Sequence, residues 1–229
     1  MVSDKYPDFI KNTASFFTEL SNNNNKEWFE ANRARFMAEV FAPVEALINY
    51  LGEKLIIIEP NLIAIPKFDK SVFRLHRDVR FSENKNPYKT NIAGFMWEGK
   101  KVKMEASGFY FHIEPETAFI GCGIYMFTPE VLKKYRELIS VQHEAEILHK
   151  VIGEIVSDGK TKVEGKTFKK GPRNYQVTHT YPELLLHSGL YTSVEYSTSD
   201  EEFRADYDRI ILEDFFNSSP LHRWLADNL

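Results

Sequence analysis

At 229 residues, 43% hydrophobic and 14% aromatic, the chain can bury a sizeable core, and its eighteen Phe and eleven Tyr exclude a disordered polymer. The single cysteine, Cys122, excludes an internal disulfide and a cysteine-rich zinc site, and no apolar run reaches the roughly 20 residues of a membrane span. A net charge of −4 argues against a general attraction for nucleic acid. The first residues, Met1-Val2-Ser3-Asp4-Lys5-Tyr6-Pro7-Asp8, lack the charged-then-apolar order of a signal peptide, so a soluble, reducing, cytoplasmic setting is expected.

Along the chain, residues 8–21 place Phe9, Ile10, Ala14, Phe16, Phe17 and Leu20 at helical spacing. Four asparagines, 22–25, break that helix, and Asn25 suits the N-cap of the next. The second helix runs from about Lys26 to Phe41, with Trp28 and Phe29 reading as core. Pro43 suits the first turn of a third helix carrying Val44, Leu47, Ile48, Leu51 and Leu55, which ends before Pro60. The period then changes. Residues 71–75, 92–98, 101–105, 109–114 and 118–125 read as strands, and their short links predict an antiparallel meander. Gly121-Cys122-Gly123 marks either a close backbone approach or a bulge.

Thr128-Pro129-Glu130 starts a helix lined by Leu132, Tyr135, Leu138 and Ile139. Another carries Ile147, Leu148, Val151, Ile152 and Ile155 and stops at Asp158-Gly159. Residues 160–181 are polar and read as irregular. Residues 182–188 form a short helix stopped by Gly189, and 190–196 a strand. Ser199-Asp200-Glu201-Glu202 is a capping box that opens a last helix through Phe203, Tyr207, Ile210, Ile211, Phe215 and Phe216, with Pro220 starting a terminal turn. The sum is one α+β domain over 1–229: N-terminal helices, a central, mostly antiparallel sheet and C-terminal helices.

The chemistry concentrates in residues 74–91, where five Arg or Lys, His76, two acids and six Ser, Thr, Asn or Tyr lie between two expected strands. Residues 74–103 carry a local +5 and residues 160–173 another +5, so the remainder carries −14. Two cationic stretches on an acidic body can focus a small anion. Arg74, Arg77 and Arg80 offer forked donors, Lys85 and Lys89 point charges, and Ser82, Tyr88 and Asn91 neutral hydrogen bonds. Lys170, in the second run, completes the set. Phosphate or carboxylate suits such donors. Asp78, flanked by arginines, is a poor base and reads as structural, buried and paired with Arg77 or Arg80. The same residues could instead tie the fold together through ion pairs.

Other chemistries fail on spacing. His76-Arg77-Asp78 resembles a kinase catalytic loop, but Glu83 stands where that loop needs its magnesium-binding Asn. There is no G-x-x-x-x-G-K-[ST], no G-x-S-x-G and no H-E-x-x-H, and His143 and His149 are wrongly spaced for one helix face. No metal and no cofactor are expected. The run from Lys166 through Phe168, Lys169, Lys170 and Arg173 to Tyr175 interleaves aromatics with cations, which suits single-stranded nucleic acid or a lid.

Taken together, Arg74-x-x-Arg77-Asp78-x-Arg80-Phe81-Ser82-x-x-Lys85-x-Pro87-Tyr88-Lys89-Thr90-Asn91 resembles the signature of the domain of unknown function 2461 family, uncharacterised bacterial and fungal proteins. Trp28-Phe29-x-x-Asn32-Arg33, Gly108-Phe109-Tyr110-x-x-Ile113-x-Pro115, Gly121-x-Gly123-x-Tyr125 and Lys169-x-x-Pro172-x-x-Tyr175 are similar to further parts of it. The pattern departs at Cys122, near Phe127 and at Arg173-Asn174. The resemblance implies a compact α+β fold and no particular activity.

The expected function is to bind an anionic, phosphate- or carboxylate-bearing small molecule at 74–91, as a binding protein or an enzyme, with no membrane partner. The rival is a non-enzymatic protein- or RNA-interaction module in which the loop is structural. A concave pocket with convergent cations marks the first; an open positive stripe with exposed aromatics marks the second.

Overall fold

The computed structural model describes residues 1–172, 175 and 180–229. Phe9, Ile10, Thr13, Phe16, Phe17 and Leu20 fall on one stripe of α2 (Phe9–Asn22), and all six are buried. A four-residue helix, α1 (Val2–Lys5), precedes it and is too short to show a period in the sequence. Asn25 caps α3 (Lys26–Ala31) as expected, its side-chain oxygen accepting the Trp28 N–H at 2.9 Å. After α4 (Arg33–Phe36) the chain stays helical through a π-helical turn, Met37–Phe41, into α5 (Ala42–Leu55). The expected punctuation at Pro43 is therefore a change of pitch. Pro43 has no N–H to donate, and just before it the Ala42 N–H reaches back five residues to the Met37 carbonyl.

The antiparallel sheet has the order β1-β2-β3-β4-β6-β5. Its strands are β1 (Leu62–Ile63), β2 (Ile92–Glu98), β3 (Gly108–Ile113), β4 (Thr117–Ile124), β5 (Lys162–Lys166) and β6 (His187–Ser197). Two expected strands are corrected. Residues 71–75 form no run of strand: Val72 bridges to Phe68 and to Gly94, and the Phe73 N–H lies on the Ala93 carbonyl at 3.0 Å. Residues 101–105 form a turn in which the Val102 carbonyl accepts the N–H groups of Glu105 and Ala106 at 2.9 and 3.1 Å. That local pairing leaves Val102 and Met104 exposed, so their alternation reports no buried face.

The stretch read as irregular contains β5, which pairs with β6 through Lys162 opposite Ser193 and Glu164 opposite Tyr191, with a bulge between Glu164 and Lys166. Gly165 sits in the bulge at φ 98°, a conformation open to glycine. Gly189 does not stop a helix. A 3-10 turn, Pro182–Leu186, precedes β6, and Gly189 lies within the strand, where a Cβ would fall 2.0 Å from the Tyr125 carbonyl oxygen. Thr128 caps α6 (Pro129–Ile139) as read, accepting the Val131 N–H at 3.3 Å, and α7 (Gln142–Val156) follows. In α8 (Glu201–Asn228) the cap is Asp200, not Ser199, accepting the Phe203 N–H at 3.1 Å. Pro220 lies inside that helix, which is interrupted instead at Asp206 (φ −130°, ψ 28°).

The chain forms two compact units, each assembled from three segments. The first comprises Met1–Met96, Tyr110–Ile120 and Glu195–Glu213. Phe16 is its aromatic hub, with ring contacts to Phe17, Trp28 and Phe36 at 5.5 Å and to Phe29 at 6.4 Å. The Arg35 guanidinium lies 5.6 Å from the same ring and donates to Glu19 at 2.7 and 2.9 Å, which holds the Glu19 carboxyl below its usual range. Phe203, Tyr207 and Ile211 are buried on the first half of α8, and Tyr207 meets Phe9 edge-on at 5.2 Å.

The second unit comprises Trp97–Phe109, Gly121–Val194 and Asp214–Leu229. Tyr135, Ile139 and Leu148 pack there against Leu184, Leu221 and Leu225. Cys122 is buried among polar partners: its N–H donates to the Thr192 hydroxyl at 3.1 Å, which donates to Ser218 at 3.0 Å. Burial pushes its thiol far up, which disfavours the nucleophilic thiolate. Among the described residues, no helix is long and apolar enough to cross a membrane.

Candidate functional site

The loop of residues 74–91 is a hairpin. In its stem the Arg77 N–H donates to the Pro87 carbonyl at 2.9 Å, the Lys89 N–H to the Leu75 carbonyl at 2.8 Å, and His76 lies opposite Tyr88. Tyr88 anchors the stem. Its ring is buried and stacks on Phe29 at 4.4 Å, and the Asn24 amide accepts its N–H and donates to its carbonyl, both at 3.0 Å. An Asn side chain carries one acceptor and one donor group, so it can serve a strand residue as a neighbouring strand would. In the sequence Asn24 is one of four alike.

At the hairpin tip the cations turn onto the hairpin itself. Arg77 donates to the Asn86 carbonyl at 3.2 Å and to the Ser82 hydroxyl at 3.4 Å. Lys85 donates to the Val79 carbonyl at 3.1 Å. Arg80 forks onto Asp78, with Nε and Nη2 at 2.9 and 2.7 Å, and holds that carboxyl below its usual range. The expected burial of Asp78 is corrected: its side chain is 59% exposed and that of Arg80 77%. Burial needs a cover, and the tip's one large apolar side chain, Phe81, is itself 94% exposed. Ion pairs at such exposure add little to stability. Asp78→Ala is therefore expected to melt with the wild type in a thermal scan; a fall of several degrees would show that the pair holds the hairpin in shape.

Of the remaining expected donors, Lys89 lies half-buried with its ammonium 5.6 Å from the Phe73 ring, and Asn91 is half-buried just before β2. Lys170 is exposed in the second unit, while Arg173 and Asn174 of that run lie outside the described residues.

Arg74 occupies a different setting. It lines a cleft of about 260 Å³ in the first unit. One wall is helical: Phe29 and Glu30 of α3, Arg33 and Phe36 of α4, and Met37 of the π-helical turn. The other wall is Phe68, Asp69, Arg74, Leu75 and His76. Each wall carries one arginine and one acid. Arg33 Nη1 lies 3.3 Å from Glu30, and Arg74 Nε pairs with Asp69, a residue in the left-handed region at φ 65°. Apart from these charges and His76 the lining is apolar. Phe29, Phe36 and Leu75 are buried, and Phe68 stacks on Phe41 at 4.7 Å. Burial pushes the neighbouring Tyr88 phenol up, with the Glu30 charge adding to the rise and Arg33 opposing it.

The family model described as a conserved hypothetical protein (DUF2461) matches residues 12–224. The chain belongs to the DUF2461 family. No curated protein matches it. In this DUF2461 protein, two of the stretches that carry the resemblance converge on one cleft, the first through Phe29 and Arg33 and the second through Arg74 and His76. Of the cations proposed from the sequence, Arg74 alone lines it. Arg33 is the residue that sequence reasoning left unassigned as a ligand. Its signal was its place four residues after Phe29, one turn on in the single helix expected from about Lys26 to Phe41. Among the described residues of the DUF2461 chain, no group of three or more His, Cys, Asp or Glu is arranged to hold a metal ion. What the cleft offers is two arginines and an imidazole together with buried Phe29, Phe36 and Leu75.

Proposed function

We propose that the protein binds an anionic small molecule in the cleft between Arg33 and Arg74. One observation carries this reading: Arg33 and Arg74, from two separate segments of the chain, line one cleft together with buried Phe29, Phe36 and Leu75. Charge-assisted hydrogen bonds strengthen where the surroundings are apolar. The seat is at the root of the hairpin, where Arg74 lines the cleft; Arg77, Arg80 and Lys85, at the tip, are not among the residues that line it. A cytoplasmic setting belongs to the same reading, supported by the lone, unpaired Cys122.

The test is a thermal-shift screen with carboxylates and phosphate-bearing small molecules. At least one anion should raise the melting temperature in proportion to its concentration over Kd. Arg33→Ala and Arg74→Ala should lose that shift yet fold normally, since both side chains are mostly exposed. Arg80→Ala should keep it. A wild type unmoved by the whole panel would refute the reading.

The rival, an interaction module, draws on Phe81, held out at the tip with the Arg80 guanidinium 5.8 Å from its ring. It predicts salt-sensitive binding of short single-stranded RNA that Phe81→Ser weakens and Arg33→Ala does not.

A further inference from the structure

We infer that the ligand of this cleft is a monoanion with an apolar body the size of about one ring, an aryl or branched-alkyl carboxylate and not a phosphate ester. The inference rests on the reading above and follows from charge, polarity and volume. The formal charges of Arg33, Arg74, Glu30 and Asp69 cancel, so a dianionic phosphate entering the cleft would leave net negative charge beside an apolar floor. A single carboxylate needs less compensation. Each arginine can supply it without releasing its acid, because the ion pairs engage Arg33 through Nη1 and Arg74 through Nε, while a guanidinium has five N–H donors in all.

Half of the residues that line the cleft are apolar and offer a ligand's body no hydrogen-bonding group. Phe29, Phe36, Met37, Phe68 and Leu75 present rings, a thioether and an isobutyl group. The volume matches a small body. A cavity of about 150 Å³ accepts benzene, so about 260 Å³ accommodates one ring with a short acid arm. Met37 is 42% exposed at the rim, where a flexible side chain can close over an apolar guest.

Isothermal titration calorimetry on the full chain distinguishes the outcomes, with phenylacetate and 4-methylvalerate against inorganic phosphate, glucose 6-phosphate and adenosine monophosphate. The two carboxylates should bind and the three phosphates should not. Met37→Ser should weaken phenylacetate roughly tenfold, and Arg74→Ala should abolish it. Phe68→Ala should weaken it as well, with Met37→Ser as the substitution least able to disturb folding. Binding of a phosphate probe without binding of either carboxylate would overturn the inference and leave anion binding in place. Undiminished phenylacetate affinity in both Met37→Ser and Phe68→Ala would overturn it too. Silence from all five probes would remove the inference together with the reading beneath it.

Discussion

Phe16→Ala should lower the unfolding free energy by about 3–5 kcal/mol, the range for truncating a fully buried aromatic ring. Phe16 has no exposed surface and touches four other rings, Phe17, Trp28, Phe29 and Phe36, from α2, α3 and α4. None of these elements can close the void alone, because each is held by its own helix. The Arg35 guanidinium would also lose the ring face beneath it. For a chain of this length the melting temperature should fall on the order of 6–20 °C. Urea unfolding followed by circular dichroism would measure the loss. Because Phe29 and Phe36 also floor the cleft, the variant should bind any cleft ligand more weakly. A loss below about 1 kcal/mol would mean that the helices re-pack freely and that the floor is not rigid.

Gly123→Ala should cost about 3 kcal/mol or more, the sum of backbone strain and steric overlap. Gly123 has φ 132°, and a Cβ there would lie 2.4 Å from the Leu190 carbonyl oxygen and 2.8 Å from the Tyr191 Cα. Both are backbone atoms of β6, so relief requires the strand to move, with the β5 pairing at Glu164 opposite Tyr191 behind it. Gly159 supplies the control. It has φ 73° with nothing within 4 Å of its would-be Cβ. Gly159→Ala should therefore show the conformational cost alone, about 1 kcal/mol. Equal losses at the two positions in denaturant titrations would remove steric overlap as the cause.

The sequence by itself determined the elements whose signals lie within a few residues. The buried stripes of α2, α5 and α6 follow from apolar spacing, and the caps at Asn25 and Thr128 from side chains that reach a donor three residues ahead. Strands β2, β3 and β4 were legible as apolar runs between turn signals, while the Gly121-Cys122-Gly123 pattern left a close approach and a bulge both open, and the fold decided for a close approach at Gly123. Family membership was legible because its long motif is a fact of residue order.

Tertiary structure decided the rest, wherever the answer depended on what lies across from a residue. The β5 segment, Lys162–Lys166, alternates little in hydrophobicity because it is an edge strand with no fully buried side chain. Residues 101–105 alternate but are satisfied within a turn. Asp78 stands between arginines in any reading, yet its exposure depends on whether another segment covers the hairpin tip. The candidate site is the clearest case. Residue order shows a cluster of cations, and only the fold separates Arg77, Arg80 and Lys85, turned onto the hairpin tip, from Arg74, which pairs with Asp69 and lines the cleft with Arg33 of α4. A guanidinium's chemistry is the same in every setting. Its partner is chosen by which backbone carbonyls, acids and rings the packing brings within about 3 Å, and that is a property of the folded chain.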